Sequence, residues 1–579
     1  MTALVLLLCW TASVTLQAQS RLLRQGTATQ ITLDGQPTLL LGGELSNSAA
    51  SSVADIDNVI PRVAQRGLNT VLVPAYWDLM EPTEGQYDFS LIDRTIKKCR
   101  ENQLKVVFLW FGVWKNSMSC YAPLWFKENT KKYPRCVTKA GKPLEIASPF
   151  SEAVFQADSR AFTALMRHMA AVDGQQHTII MMQIENEIGM LENARDYSPA
   201  ATKLFNAPLP KELVSYLKAH EQELHPKLVA KLQEQGTDVK AIGGKSTWGQ
   251  VFGTDIYAEE IFMAYHYACY VERLARIARQ TYDMPLYVNA AMNSRGRKPG
   301  EYPSAGPLAH LIDLWHCGAP SIDILAPDLY DNGFKGWVAQ YKLHNNPLFI
   351  PECRQNENTA ARALYAFGEY DAIGFCPFGI DDIGKQDGDK LQNAYRLLRQ
   401  LSPLLLKSQG SGRNHGILLD KQDQEKVISD GTLQLTAKHF YTLGWDARYK
   451  TMEQWPEAGG IVIKLADKEF LIAGTGLVVT FAYDSEAQTA YKRKLGEDGF
   501  VEKGDDGANE TANGQQTKAR NTRFTGKRIG IGYVDQVSID GDGRLQYLRR
   551  DNGDQDHQGR HARITMNEWK ILHVKLYEY

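Results

Sequence analysis

The chain lacks an excess of either charge, since its 65 Lys and Arg residues are balanced by 67 Asp and Glu residues. Proteins that bind nucleic acids carry a basic excess or a basic stripe, so this balance argues against a polyanionic ligand. Gly and Pro, at 47 and 23 residues of 579, are too few for a collagen-like or wholly disordered chain. With 43% hydrophobic and 23% charged residues, the composition is typical of a folded globular protein.

Cysteine pairs and metal motifs are also missing. The eight Cys residues include no CxxC pair, and the 13 His residues form no HExxH motif. Such patterns mark disulfide frameworks and metal sites, and no EF-hand loop is present either. We therefore expect neither a metal nor a cofactor. Cys120 and Cys136 flank one loop, and the sequence leaves open whether they are bridged or free.

The longest apolar run without charges lies at the amino terminus, at residues 3–14. It is too short to span a bilayer, and the small residues that follow fit cleavage after Ala18. We therefore expect residues 1–18 to be a signal peptide and the protein to be exported, to the periplasm or the cell surface of a bacterium. We expect no membrane span elsewhere.

Eight short apolar runs, each followed by a helical pattern, occur before about residue 405. Such runs are typical of parallel strands that are buried on both faces. Eight strand–helix units predict a (β/α)8 TIM barrel, whereas a doubly wound sheet would usually have fewer strands. The predicted strands are residues 38–41, 70–73, 105–110, 178–184, 285–289, 322–326, 348–350 and 373–377.

Two segments do not follow this alternation. About 100 residues separate the fourth predicted strand from the fifth, where a βα unit needs roughly 30. We expect a helical insertion there, at about residues 190–258, on the active-site face of the barrel. From residue 408 onward, short strand-like runs are separated by Gly, Asp and Asn, which predicts an antiparallel β-sandwich. The expected domains are residues 19–407 and 408–579.

Acidic residues come directly after two of the predicted strands. The fourth strand is followed by Glu185, Asn186 and Glu187, and the seventh is followed by Pro351 and Glu352. Reactive groups of a barrel lie at the carboxyl ends of its strands, so Glu187 and Glu352 should meet at one rim. Two carboxyl groups that face each other across a pocket are typical of glycoside hydrolysis. The alternative for each acid alone is structural, as a helix cap or a loop residue.

Two stretches carry a resemblance to a known family. One is Gln183-Ile184-Glu185-Asn186-Glu187-Ile188-Gly189, and the other surrounds the second strand, with Gly67-Leu68-Asn69-Thr70-Val71, Trp77, Glu81-Pro82, Gly85 and Tyr87-Asp88-Phe89. Together they resemble glycoside hydrolase family 35, the β-galactosidases of the large retaining (β/α)8 clan. The resemblance covers about residues 25–400. Within that family, the chain most resembles the bacterial branch with a C-terminal β-sandwich. Four stretches carry this resemblance: Gly42-Gly43-Glu44, Leu109-Trp110-Phe111-Gly112, Ala326-Pro327-Asp328-Leu329-Tyr330 and Gly374-Phe375-Cys376-Pro377-Phe378-Gly379.

The resemblance implies a role for each polar residue at these strand ends. Glu187 would be the acid/base and Glu352 the nucleophile. Asn186 would bind the 2-hydroxyl of the sugar, a contact that strengthens in the transition state. Tyr330 would hold the carboxylate of Glu352 in its ionised form. Glu185 is expected to point elsewhere and to fix the loop.

The chain departs from the family pattern after the third strand. Many members have a Cys-Ala-Glu-Trp stretch whose Glu helps to bind sugar hydroxyls, and here Asn116 takes the Glu position. This change weakens the inference of galactose over another β-sugar. Glu44, Trp77 and Trp114 are further candidates for substrate binding. Sugar stacking and a role in the core are the two alternatives for Trp77, Trp114 and Trp248.

The sequence thus predicts an exported, retaining exo-β-galactosidase that acts on oligosaccharides or polysaccharide side chains. Double displacement would proceed through a covalent galactosyl-enzyme intermediate. The first alternative is a retaining β-glycosidase of the same clan with another specificity, such as a β-glucosidase or an arabinosidase. The second is a non-catalytic glycan-binding protein on a decayed barrel, which would require the loss of a carboxylate that this chain retains.

Overall fold

Eight parallel strands form a closed barrel in the computed structural model of the chain, which describes residues 20–292, 296–342, 346–444, 448–485, 511–512, 515–516 and 526–579. Strands two to seven pair in chain order, and strand eight joins the seventh strand to the first. The barrel strands are Leu40–Leu41, Thr70–Tyr76, Lys105–Phe111, Ile179–Gln183, Leu286–Ala291, Ile324–Leu329, Phe349–Ile350 with Glu352–Cys353, and Gly374–Phe375. The predicted TIM barrel is confirmed.

The barrel closes through short contacts around its first strand. Leu40–Leu41 pairs with Gly374–Phe375, and just beyond it Glu44 forms a parallel bridge with Leu72 of the second strand. All residues of Thr70–Tyr76 and of Ile179–Gln183 are buried. Burial on both faces explains why these strands carry nearly continuous apolar runs rather than an alternating pattern.

Helices surround the barrel, and side chains cap several of them. Ser151 accepts a hydrogen bond from the backbone N–H of Val154 at the start of the helix Glu152–Asp173. The α-helices are Val53–Ala64, Trp77–Met80, Ser90–Glu101, Leu124–Glu128, Glu152–Asp173, Pro199–Phe205, Lys211–Ala219, Pro226–Glu234, Trp248–Phe252, Ile256–Thr281, Ile312–Gly318, Phe334–Tyr341, Thr359–Tyr370, Lys385–Ser408 and Arg448–Thr451. Four short helices, from Pro199–Phe205 to Trp248–Phe252, lie between the fourth strand and Ile256–Thr281, where the sequence predicts an insertion.

Further strands that do not belong to the barrel occur before it, within one of its loops and after it in the sequence. The N-terminal strands Ser20–Gln25, Ala28–Leu33 and Gln36–Thr38 form an antiparallel sheet that the sequence does not predict, and Arg135–Val137 pairs with Pro143–Ala147. The C-terminal strands are Asn414–Leu419, Glu425–Asp430, Leu433–His439, Ala458–Ala466, Glu469–Thr475, Leu477–Tyr483, Thr511–Ala512, Gln515–Gln516, Ile529–Ile539, Leu545–Asp551, Ala562–Ile564 and Lys570–Glu578.

Ten of these C-terminal strands form an antiparallel sheet of six strands and another of four, while Thr511–Ala512 and Gln515–Gln516 pair with each other. Leu435 and Leu477 from the smaller sheet pack with Val462, Ile472 and Leu572 from the larger one in a common core. This arrangement is the β-sandwich that the sequence predicts.

The sandwich packs on the barrel through the helix Thr359–Tyr370. Gly459 lies so close to this helix that a Cβ atom on it would come within 2.5 Å of the Cα atom of Ala361. Arg362 of the helix donates two hydrogen bonds, of 2.8 and 2.7 Å, to the carboxylate of Glu457. The two domains therefore share a tight interface, in which side chains of the larger sheet extend the hydrophobic core of the barrel.

Three further sequence predictions concern a cysteine pair, membrane spans and the signal peptide. Cys120 and Cys136 are both free thiols. Within the part of the chain that the structure describes, no helix has the length and apolar character needed to cross a membrane. The predicted signal peptide, residues 1–18, lies outside the described residues.

Candidate active site

A cavity of about 640 Å³ opens at the carboxyl ends of the barrel strands. Among the described residues, those that line it come from the barrel strands and loops and not from the sandwich or from residues 190–258. The lining includes Lys115, Asn116, Glu187, Tyr330 and Glu352. The structure therefore brings four of the predicted site residues, Asn116, Glu187, Tyr330 and Glu352, into one cavity.

Glu187 and Glu352 face each other at the base of this cavity. Their residues are only 4% and 3% exposed. One carboxylate oxygen of each lies within 4.8 Å of the other, and an oxygen of Asp328 lies within the same distance of both. Three buried carboxyl groups at this spacing cannot all ionise cheaply, because like charges in a site of low dielectric repel.

The backbone and the side chain of Glu187 are both held in place. Its N–H donates to Oδ1 of Asn289 over 2.9 Å, and its φ of 44° lies in the left-handed region. Asn116 donates its amide hydrogen to the carboxylate of Glu187. Burial, and then the negative charge of Glu352, raise the pKa of Glu187 to about 7, although the positive charge of Lys115 acts in the opposite direction. A carboxyl group of this kind is protonated at neutral or lower pH and can act as an acid.

Glu352 accepts hydrogen bonds from three side chains. Tyr330 donates its hydroxyl hydrogen over 2.7 Å, and the amides of Asn289 and Asn186 donate over 3.3 and 3.4 Å. Burial, reinforced by the charge of Glu352, raises the pKa of Tyr330, so its hydroxyl remains a donor. Hydrogen bonds to a carboxylate favour its ionised form, which is the form that attacks as a nucleophile.

Asn289 connects the three carboxyl groups. Its amide donates to Oδ2 of Asp328 over 2.8 Å as well as to Glu352, while its carbonyl accepts from the backbone of Glu187. Burial, followed by the charges of Glu352 and Glu187, raises the pKa of Asp328 well above its usual value. The side-chain amide of Asn289, on the fifth strand, therefore fixes the position of Glu187 relative to Glu352.

Lys115 is a buried cation in the cavity lining. The residue is 5% exposed, and its charge acts on Glu44, Glu187 and Glu352. Burial lowers the pKa of Lys115, but the surrounding carboxylates, with Glu352 first, outweigh this effect and raise it. The ammonium group is therefore charged and compensates part of the negative charge of the site.

Glu185 points away from the cavity and binds the backbone of the preceding loop. Its carboxylate accepts from the N–H groups of Val113 and Trp114 over 3.3 and 2.7 Å. A Cβ atom on Gly112 would lie 2.8 Å from this carboxylate, so the close approach requires glycine. Burial, and then the charge of Asp158, raise the pKa of Glu185 well above its usual value. This loop-fixing position is the one expected from the sequence.

The structure corrects the expectation that Trp77 and Trp114 are stacking platforms for sugar. Both are fully buried, and neither lines the cavity. Trp77 donates its indole hydrogen to Glu81 over 2.6 Å, and Trp114 donates to the carbonyl of Ala147 over 3.2 Å. Trp248 is also buried, at 1% exposed. A ring that is enclosed on both faces cannot stack on a ligand, so all three belong to the core.

Glu44 and Asn186 lie beneath the cavity wall rather than in it. Both are fully buried, and neither is among the residues that line the cavity. Burial, and then the charge of Glu352, raise the pKa of Glu44 well above its usual value. The predicted roles of both residues in substrate binding remain predictions.

Sequence reasoning does not identify Lys115, Asn289 or Asp328 as site residues. Asn289 ends the fifth predicted strand, and Asp328 comes two residues after the sixth, so the argument that selected Glu187 applies to both. Lys115 has no comparable signal, because a lysine in a loop is usually solvated.

Two family models match the chain. Residues 50–227 match the glycoside hydrolase family 42 model, described as Beta-galactosidase. Residues 391–563 match a model described as a domain of unknown function, DUF5597. The first match spans barrel strands two to four and includes Glu187, whereas Glu352 lies beyond it. The first match covers less than half of the chain, and the resemblance to family 35 stays a prediction.

Solved structures similar to the chain include three bacterial β-galactosidases. They come from the psychrophilic Marinomonas ef1 (12% identity, TM-score 0.41), from Bacillus circulans sp. alkalophilus (13%, 0.43) and from Rahnella sp. R3 (15%, 0.43). Each similarity covers 63% of this chain, and 60%, 56% and 57% of the other chain, respectively. This chain therefore spans less than two thirds of the length of each of these proteins.

Proposed function

We propose that the chain is a retaining β-galactosidase that hydrolyses terminal β-galactosides by double displacement. The observation that carries the proposal is the facing pair Glu187 and Glu352, with carboxylate oxygens within 4.8 Å of each other. Retaining glycosidases hold their carboxyl groups roughly 5–5.5 Å apart, whereas inverting enzymes need roughly 6.5–9.5 Å to admit a water molecule. The spacing favours the retaining route.

In the first step, Glu352 attacks the anomeric carbon while Glu187 gives its proton to the glycosidic oxygen. The bond between that carbon and oxygen breaks, the alcohol leaves, and an ester joins the sugar to Glu352. In the second step, Glu187, now a carboxylate, takes a proton from water. The hydroxide so formed attacks the anomeric carbon and releases Glu352, which restores both groups.

Support for galactose comes from the family match and from the sequence resemblance, which point to different families whose members share the β-galactosidase description. We assign the chain to family 35 within this proposal, because it combines a stretch similar to that family's acid/base motif, residues 183–189, with the signature around the second strand. The cavity of about 640 Å³ at the mouth of the barrel suits removal of a terminal sugar. We therefore infer exo action on oligosaccharides or on polysaccharide side chains.

Initial rates on 4-nitrophenyl glycosides test the proposal. The panel is the β-galactoside, β-glucoside, β-fucoside and α-arabinoside, with Glu352→Ala as the control for contaminating activity. Preference for the β-galactoside is the expected result. Preference for another sugar would refute galactose and favour the alternative raised by Asn116, and silence of the wild type with oligosaccharides as well would refute hydrolysis.

We also propose that the protein is exported after cleavage of residues 1–18. The support is the sequence of this segment, with its apolar stretch and small residues before Gln19. Amino-terminal sequencing of protein expressed in a Gram-negative host tests it. A mature chain that begins at Gln19 in the periplasmic fraction is expected, and an unprocessed cytosolic chain would refute export.

A further inference from the structure

The ammonium group of Lys115 has no polar partner among the described residues. The residue is 5% exposed and lines the cavity beside Glu187 and Glu352. Within the described ranges, its Nζ atom takes part in no hydrogen bond and in no ion pair of 4.0 Å or less. Its Nζ atom also lies over the ring of Phe111, 5.2 Å from the ring centroid. A charged group with three donors is thus held in the cavity wall without acceptors.

The backbone of Lys115 is fixed, so its side chain starts from a rigid base. Its N–H donates to the carbonyl of Met118 over 2.8 Å, and the N–H of Met118 donates back over 3.0 Å. The next residue, Asn116, donates its N–H to the carbonyl of Asn186 over 3.2 Å. The turn that carries Lys115 is therefore tied to the end of the fourth strand, next to Glu187.

The cavity holds acceptors that a ligand bound by Lys115 would also contact. The carboxyl groups of Glu187 and Glu352 line the cavity together with Lys115. A sugar hydroxyl in this cavity can accept a hydrogen bond from the ammonium of Lys115 and donate one to a carboxylate.

The separation of Lys115 from the carboxylates leaves space for such a group. Its Nζ atom is more than 4.0 Å from the oxygens of Glu187 and Glu352, although burial and then the charges of these two groups both act on it. A hydroxyl oxygen that lies roughly 2.8 Å from each of two partners keeps those partners more than about 4 Å apart, which is compatible with this separation. Direct pairing of Lys115 with either carboxylate would not leave that space.

We propose that Lys115 donates a hydrogen bond to a ring hydroxyl of the sugar bound between Glu187 and Glu352, and so helps to determine which sugar is accepted. This inference rests on the proposed glycosidase function. It assigns the contact to a residue beside Asn116, at the stretch where the chain departs from the family pattern. Lys115 would thus contribute to hydroxyl recognition where the family's Glu is replaced.

Deoxy substrates combined with Lys115 variants test the contact. The sugar that the wild type hydrolyses best is prepared as its 4-nitrophenyl glycoside and as the deoxy analogues at each ring hydroxyl. Lys115→Met should lower kcat/KM on the parent by about 10- to 150-fold, as for a hydrogen bond to a charged group. On the analogue that lacks the contacted hydroxyl, the loss should shrink to less than about threefold. An equal loss on every analogue would overturn the contact.

Two further variants control for folding and for charge. Lys142→Met removes a lysine whose side chain is 68% exposed and pairs with Glu192 over 3.4 Å, and it should leave kcat/KM unchanged. If Lys115→Met does not fold, as judged by its thermal midpoint, Lys115→Arg is measured on the same series. This variant keeps the positive charge but places its N–H donors differently. The loss of kcat/KM should again be large on the parent and small on the analogue that lacks the contacted hydroxyl. Uniform losses would again overturn the contact.

The design separates this inference from the proposed function. Wild-type turnover on the glycoside panel is measured first, and silence there would refute the proposed function. Turnover together with a uniform loss in the Lys115 variants would refute only the lysine contact. Binding of isopropyl β-thiogalactoside, measured by calorimetry, adds a readout without chemistry, and Lys115→Met should weaken it at least about tenfold. Unchanged binding would also overturn the contact.

Discussion

Tyr330 donates its hydroxyl hydrogen to Oε2 of Glu352 over 2.7 Å. The contact links the loop after the sixth strand to the end of the seventh, and both residues line the cavity. Because burial and the charge of Glu352 raise the pKa of Tyr330, the phenol donates and does not compete as an anion. This geometry agrees with the role that the sequence resemblance implies for Tyr330.

Tyr330→Phe should lower kcat/KM by about 10- to 100-fold with little effect on stability, because a hydrogen bond to a charged group is lost. Initial rates on 4-nitrophenyl β-galactoside measure the effect. Tyr395→Phe is a matched control, since the hydroxyl of Tyr395 is buried and donates to the carbonyls of Gly42 and Phe375 over 2.8 Å each. The control should lose stability and keep its activity. Wild-type activity in Tyr330→Phe would contradict the assigned role.

Replacement of each carboxylate should affect different steps. Glu352→Ala should abolish turnover of every substrate, because no covalent ester can form. Glu187→Ala should keep activity on substrates with good leaving groups, which depart without protonation. Azide should increase that activity and yield the β-galactosyl azide, since it attacks the ester from the side of the missing carboxylate. Rates and product analysis check both variants, and equal, complete loss from both would refute this division of roles.

The pH dependence of kcat/KM should follow the proton of Glu187. Its pKa is raised to about 7, so the acid form predominates below this value and is lost as the pH rises through it. For phenyl β-galactoside, whose leaving group needs a proton, kcat/KM should fall about tenfold per pH unit above about pH 7. For 2,4-dinitrophenyl β-galactoside the fall should be weaker. If Glu187→Ala retains the same alkaline limb, another group is responsible.

The ion pair of Arg362 and Glu457 should stabilise the interface between barrel and sandwich. Their side chains are 7% and 12% exposed, and removing one partner of a buried pair costs about 3–5 kcal/mol. Arg362→Ala should therefore lower the midpoint of thermal unfolding clearly. Its kcat/KM at 25 °C should be unchanged, because neither residue lines the cavity.

Lys385→Ala is the control for that pair. Lys385 binds Asp389 over 2.6 Å at the surface, with side chains 89% and 52% exposed. Surface pairs contribute about 0–1 kcal/mol, so the midpoint should hardly move. A similar small shift in Arg362→Ala would show that the interface does not depend on its buried pair.

The barrel could be predicted from the sequence because its strands are buried on both faces. Continuous apolar runs such as Thr70–Tyr76 are a strong local signal, and polar residues directly after them mark the active rim. Glu187 and Glu352 were found in this way. The N-terminal strands Ser20–Gln25 and Ala28–Leu33 were missed because polar residues occur throughout them, so they give no apolar run.

The burial of single side chains could not be predicted, since it depends on distant segments. Trp77 and Trp114 have the residue type of a sugar platform, but neighbours elsewhere in the chain enclose them. Lys115 shows the reverse case, because a loop lysine gives no sign that its charge will interact with four carboxyl groups from other parts of the chain. Local patterns predict elements, whereas the depth of a side chain requires the complete fold.

The central claim is hydrolysis with retention by Glu187 and Glu352. The most direct test is proton NMR of the first sugar formed from 4-nitrophenyl β-galactoside, recorded before mutarotation. The account predicts β-galactose as the first product, because two displacements invert the anomeric carbon twice. α-Galactose as the first product would contradict the covalent intermediate and the role assigned to Glu352.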